Sequence, residues 1–134
     1  MPYQVRPLGV LLAAVATFAV GMLWYSPLVF GKVWMHLNGY TPERMAEMKQ
    51  KVGRAYLVSF IAYLVLAVGL DSVAGAGSPI DAIKISVRVW LFFVLPVSVT
   101  ALMFSERPFG AWLIDAGYQV VYFAVMGVVL SFLG

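Results

Sequence analysis

Long stretches without a charged residue limit the folds open to this sequence more than any other feature. The first stretch lies between Arg6 and Lys32. It exceeds the roughly 20 apolar residues that a helix needs to cross the ~30 Å hydrocarbon core of a bilayer. A single stretch of this kind adopts an α-helix, because backbone polar groups in lipid must find their partners within the segment. We therefore predict an integral membrane protein of the cell membrane.

The composition points to the same class. A chain of 134 residues that is 63% hydrophobic and only 11% charged has too little polar surface to cover a water-soluble globule. The net charge is +3, but the Lys and Arg residues are scattered along apolar segments, so we expect membrane lipids and no nucleic acid as partners. The chain has no cysteine and one histidine, so we expect neither a metal nor a cofactor.

We predict an all-α fold, a four-transmembrane-helix antiparallel bundle in a single domain, 1–134. A secretory signal is the rival interpretation of the first span, but its apolar run is longer than a signal peptide carries. The third span is expected to start late, because Lys84 and Arg88 would be costly in hydrocarbon. The third and fourth spans should be antiparallel neighbours, because the link between them is short. The predicted spans are about 8–30, 55–76, 87–104 and 109–133.

A short amphipathic helix is predicted over about 42–53, between the first two spans. Thr41 is a suitable N-cap, Pro42 suits the first helical position, and Glu43 adds an acid in the first turn. This helix either lies on the membrane or continues into the second span.

The distribution of basic residues predicts the orientation. The positive-inside rule places the more basic loops in the cytoplasm, and hence both termini outside it. The first and third loops hold Lys32, Arg44, Lys49, Lys51, Arg54 and Arg107, against Arg6, Lys84 and Arg88 on the other side.

Two faces of small residues predict close helix packing. Either face could serve within the chain or between subunits. Because four helices bury only a thin core, we expect at least one face to join subunits, in a homo-oligomer or a larger membrane complex. Pro96, midway along the third span, should kink that helix, and packing is the favoured explanation over a gating hinge. The faces are Gly9, Ala13, Thr17 and Gly21 in the first span, and Gly110, Gly117, Ala124 and Ser131 in the fourth.

Asp115 is the charge that lies well inside an apolar span, where it is costly unless paired or protonated. A polar and aromatic stripe follows it at i+3, i+4 and i+7, and folding the spans about their turns brings further polar residues level with it. Two interpretations stay open: a proton, cation or substrate contact, and a hydrogen-bonding post between helices. The predicted polar cluster comprises Asp115, Tyr118, Gln119, Tyr122, Trp24, Tyr25, Tyr63 and Ser98.

A second group of charges, Asp71, Asp81, Lys84 and Arg88, surrounds the turn between the second and third spans. We interpret it as an interfacial ion cluster with snorkelling side chains. The alternative is a site for an anionic lipid headgroup or an anionic solute.

The sequence Trp24-Tyr25-Ser26-Pro27, followed by Phe30-Gly31-Lys-Val-Trp34, resembles the signature of a family of small bacterial membrane proteins known only as a domain of unknown function. The segments Ala116-Gly117-Tyr118 and Met126-Gly127 are similar to that family's closing helix. The resemblance covers nearly the whole chain. It implies a four-span fold and no activity.

These features favour a structural or accessory membrane protein that acts through helix–helix association with itself or a larger complex. The alternative is a small oligomeric transporter or channel for a proton, cation or small solute, using Asp115. We do not expect an enzyme, because no nucleophile is paired with a base.

Overall fold

The computed structural model describes residues 4–74 and 77–133, and these residues form helices and no strand. Four of the helical segments are long and apolar enough to cross a membrane, as the sequence predicted, and the all-α membrane fold class is confirmed. The α5 helix, a π-helical turn and α6 run on as one segment, Pro79–Ser105, called here the third spanning helix. The elements are α1 (Pro7–Trp24), α2 (Gly31–Asn38), α3 (Pro42–Lys49), α4 (Val52–Ala74), α5 (Pro79–Val89), the π turn (Trp90–Val94), α6 (Leu95–Ser105) and α7 (Phe109–Leu133).

The first helix ends earlier than the predicted span of 8–30. The α1 helix stops at Trp24, shortly before Pro27, which has no N–H to continue the helical pattern. A tight turn follows, in which the Gly31 N–H donates to the Ser26 carbonyl at 2.9 Å. The short helix α2 then begins at Gly31 and was not predicted.

The next two boundaries also shift. The predicted helix over 42–53 ends at Lys49, and α4 begins at Val52. The third spanning helix begins at Pro79, ahead of the predicted 87, because the Ser78 hydroxyl caps it by accepting from the Asp81 N–H at 3.2 Å. How far along this helix the hydrocarbon begins stays a prediction. The end of the second predicted span, 75–76, lies outside the described residues.

The α7 helix lies at the centre of the bundle. The α1 helix packs on one side of it and α5 on another, while α4 lies alongside α1 and also contacts α7. The core side chains of α7, Phe123, Met126 and Leu130, are fully buried. Of the four spanning helices, α7 is the most buried and the third spanning helix the least.

The small face of α1 is used within the chain. Ala13 and Thr17 are buried beside α7, and a Cβ at Gly9 or Gly21 would touch Leu133 or Tyr118 of α7. The face of small residues predicted in the fourth span is not the place where α7 approaches α5 closely.

Gly127 provides the close approach between α7 and α5. A Cβ at this position would lie 2.5 Å from the Ser86 hydroxyl and 2.9 Å from the Ala82 carbonyl oxygen. Of the predicted seam, Gly110 and Gly117 instead face Leu37 of α2 and Trp24 of α1.

At Pro96 the sequence predicted a kink, and the structure has a π-helical turn just before this residue. The Leu95 N–H donates to the Trp90 carbonyl, five residues back, and so forms the wide turn. A wide turn accommodates the proline ring and the carbonyl that proline leaves without a donor.

We expect Gly127→Ala to destabilise the fold by about 1–3 kcal/mol, because the added methyl meets the backbone of α5. Unfolding in detergent by heat or by a denaturing surfactant measures this change. Gly69→Ala is the control, since a Cβ there meets nothing within 4 Å, and it should be neutral or stabilising. Equal stability of the two variants would contradict this account of the α5–α7 contact.

Candidate functional site

The Asp115 carboxylate, in the second turn of α7, accepts hydrogen bonds from three segments of the chain. The Tyr25 hydroxyl donates to Oδ1 at 2.5 Å, and the Trp34 indole N–H donates to the same oxygen at 3.0 Å. The Arg107 guanidinium pairs with Oδ2. Tyr25 follows α1, Trp34 lies in α2, and Arg107 lies in the link before α7, so one carboxylate joins all three to the central helix.

The turn after α1 explains why Tyr25 and Trp34 reach the same oxygen. A Cβ on Gly31 would lie 2.4 Å from the Tyr25 carbonyl oxygen, so only glycine lets α2 start this close to the end of α1. The Tyr25 and Trp34 rings then meet edge to face, with their centroids 5.5 Å apart. Trp24 turns the other way and donates to the Ile114 carbonyl at 2.9 Å.

The ion pair at Asp115 is partly open. The Arg107 side chain is 42% exposed and that of Asp115 is 21% exposed. The sequence prediction did not identify Arg107 as the partner of Asp115. Its position in the link just before α7 could have indicated the pairing, since a loop side chain can fold back over the first turns of the helix that follows.

One turn further along α7 than Asp115, two tyrosine hydroxyls form a second hydrogen-bonded group. The Tyr118 hydroxyl donates to the Thr17 carbonyl at 2.9 Å. Since that bond uses the single proton of Tyr118, Tyr63 is the donor in the 3.2 Å hydrogen bond between the two hydroxyls. The Tyr122 ring packs against the rings of Tyr63 and Tyr118 at centroid distances of 5.3 Å and 4.8 Å. The structure thus brings together most of the predicted polar cluster.

Gln119 and Ser98 lie apart from these residues. The Trp90 indole donates to the Gln119 side-chain oxygen at 3.3 Å, and the Trp112 indole donates to the Ser98 hydroxyl at 2.7 Å. Both hydrogen bonds join the third spanning helix to α7. The predicted stripe is therefore divided: Tyr118 faces α1 and α4, whereas Gln119 faces the third spanning helix. Adjacent residues of a helix point about 100° apart, so these two side chains cannot face the same neighbour.

A pocket of about 720 Å³ opens between α1, α2, α3 and α4 beside this cluster. Its lining is mostly aromatic and methionine side chains with a few hydroxyl groups. We call it the aromatic pocket. The pocket was not predicted from the sequence, because it depends on α2 and α3 folding back beside α1 and α4. The lining residues are Phe18, Gly21, Met22, Tyr25, Gly31, Trp34, Met35, Met45, Tyr56, Ser59, Tyr63 and Tyr118.

The predicted ion cluster is divided in the structure. Asp71, whose side chain is fully buried, pairs with Arg6 through two guanidinium contacts, one of them from Nε at 3.0 Å. This pair joins the start of α1 to the end of α4. Asp81, Lys84 and Arg88 are exposed on α5, and within 4–74 and 77–133 no salt bridge involves them.

The described residues contain no group of three acidic or histidine side chains able to hold a metal ion.

Asp71→Asn should destabilise the protein by about 3 kcal/mol, because it leaves the partly buried Arg6 guanidinium without its charged partner. Asp81→Asn removes a carboxylate from an exposed position and is the matched control, with an expected change below about 0.5 kcal/mol. Both variants are compared by thermal unfolding in the same detergent. A stability loss in Asp71→Asn no larger than that in Asp81→Asn would refute the role given to the Arg6–Asp71 pair.

Comparison with known proteins identifies one family. A family model described as a protein of unknown function (DUF1761) matches residues 8–131. No curated protein and no solved structure matches the chain.

Proposed function

The chain belongs to the DUF1761 family, whose function is unknown. We propose that it is a structural or accessory membrane protein without enzymatic activity. It works by helix–helix association with a second copy of itself or with a larger membrane complex. In this proposal the protein lies in the cell membrane with both termini outside the cytoplasm, and the third spanning helix is the surface that associates.

The main support for this proposal is the exposure of the third spanning helix. In α6 only Leu102 is buried, and Phe104 is 91% exposed. Exposed residues recur along one stripe of α6 at Val97, Thr100 and Phe104. Val97 and Phe104 are seven apart, and seven is the spacing that keeps one seam facing a partner helix.

A small residue within this stripe and another beside it favour a helix over lipid as its neighbour. In lipid, helices associate where small side chains let the backbones approach. Thr100 and Ala101 are exposed, and the Thr100 hydroxyl donates to the Val97 carbonyl at 2.8 Å, so it adds no unsatisfied donor to an interface.

The contacts of Asp115 also support a structural role. Its three donors come from three segments, so its first effect is to hold α2 and the link before α7 in place.

Single-cysteine cross-linking tests the association directly, because the chain has no cysteine of its own. Val97→Cys should form a disulfide-linked dimer in oxidised native membranes. Val65→Cys on α4 is the matched control, since both residues are valines with 68% exposure, and it should stay uncrosslinked.

Equal cross-linking at the two positions would contradict the assignment of the surface. No cross-linking at either position, together with a monomeric mass in mild detergent and no copurifying partner, would refute association itself.

Solute transport is the second candidate function, and one observation favours it. Tyr25 and Trp34 contact the Asp115 carboxylate and also line the aromatic pocket, so a molecule in the pocket would lie one side chain away from that charge. In this proposal the pocket takes a cation or small solute, and Asp115 sets its affinity.

Asp115→Asn should then abolish flux of the solute in proteoliposomes, because the substitution removes the negative charge behind the pocket. Asp81→Asn, which removes an exposed carboxylate of α5, should leave flux unchanged. No flux in the wild type, or flux unaltered by Asp115→Asn, would exclude transport through this residue.

A further inference from the structure

We propose that the aromatic pocket binds an organic ammonium ion with an apolar body. This inference deepens the second candidate function by naming the ligand class. It does not require that the bound molecule crosses the membrane.

Aromatic rings form two walls of the pocket. On one wall, Phe18 contacts Tyr56 and Tyr63 at centroid distances of 5.9 Å and 5.3 Å. On the other, Tyr25 contacts Trp34 and Tyr118 at 5.5 Å and 5.4 Å. The face of each ring carries partial negative charge, and several such faces around one space attract an ammonium ion.

The hydrogen bonds of the fold leave these tyrosines as acceptors. Tyr25 donates its single proton to Asp115, and Tyr118 donates its own to the Thr17 carbonyl. Tyr63 in turn donates to Tyr118. A phenol has one proton and two lone pairs, so at these three positions what remains for a ligand is acceptor capacity. An ammonium N–H is the complementary donor.

Asp115 is a charged residue that hydrogen-bonds directly to side chains lining the pocket. None of the residues that line the pocket is charged. The Oδ1 oxygen of Asp115 lies directly behind Tyr25 and Trp34, whereas Arg107 binds the other oxygen and does not line the pocket. A cation in the pocket therefore meets aromatic side chains and hydroxyl oxygens, and no lining side chain offers a positive charge to an anion.

The size and the remaining lining suit an apolar body. A volume of about 720 Å³ is that of a pocket for a molecule of drug size. Met22, Met35 and Met45 contribute flexible, polarisable side chains that adapt to different apolar shapes. Met22 is 77% exposed and Tyr56 is 59% exposed, so the pocket is open on the side of α1 and α4.

Dibenzylammonium, dibenzyl ether and dibenzyl phosphate test the charge preference, because they share two benzyl groups and differ in charge. Binding is measured by equilibrium dialysis against the full chain in nanodiscs of digalactosyldiacylglycerol, a lipid without an ammonium group that could compete for the pocket, with empty nanodiscs subtracted to remove partition into lipid. We expect the cation to bind saturably, about tenfold more tightly than the ether, with no saturable binding of the anion.

Two substitutions locate the site. Tyr56→Leu removes one exposed ring and should weaken binding of dibenzylammonium about two- to fivefold. Ser59→Phe fills the pocket and should abolish binding. The control Phe92→Leu removes a ring of similar exposure, 67%, outside the pocket and should leave binding unchanged. Thermal unfolding of each variant shows that loss of binding is not loss of fold, and Tyr56→Phe, which keeps the ring, should bind as the wild type does.

Equal binding of the ether and the cation would overturn the proposal and identify an apolar groove that takes lipid chains. Saturable binding of the anion, or no binding above empty nanodiscs, would also overturn it. Binding of the cation without flux in proteoliposomes would remove the transport function and leave the ligand class standing.

Discussion

The close contact of α7 with its neighbours is the constraint on which the remaining structure depends. In lipid the hydrophobic effect gives helices little reason to associate, so packing between backbones and a few polar contacts must hold them together. The α7 helix provides both. Gly127 lets α5 approach it on one side, while Gly9 and Gly21 of α1 face it on another.

Polar contacts then fasten the two ends of the bundle. At one end, Arg6 pairs with the buried Asp71 and so joins the start of α1 to the end of α4. At the other end, Asp115 gathers Tyr25, Trp34 and Arg107. Asp71 lies three residues before the end of α4 and Asp115 six residues after the start of α7, and each is paired with an arginine, which lowers the cost of a charge in an apolar helix.

The aromatic pocket depends on the contacts of Asp115. The hydrogen bond from Trp34 to Asp115 holds α2 against α7, and α2 with α3 then closes one side of the space between α1 and α4. The Asp115 carboxylate, which holds Tyr25 and Trp34 in the lining of the pocket, also lies behind it as a negatively charged group. Structure and proposed ligand preference thus depend on the same carboxylate. The third spanning helix lines no part of the pocket, and its exposed stripe is the surface that we propose for association.

The sequence by itself determined the number of spanning helices and the place of Asp115 in α7, because length, apolar content and charge position are properties of each segment alone. It also predicted the small face of α1 and the disturbance at Pro96. Only the tertiary structure decided the partners of the charges, the helix α2, the contact at Gly127 and the pocket. Apart from α5, the spanning helices are apolar on nearly every side, so no amphipathic pattern in the sequence marks which side of them faces which neighbour. Those choices depend on how whole helices fit together, and on a turn at Gly31 whose effect is visible only once α1 and α2 are in place.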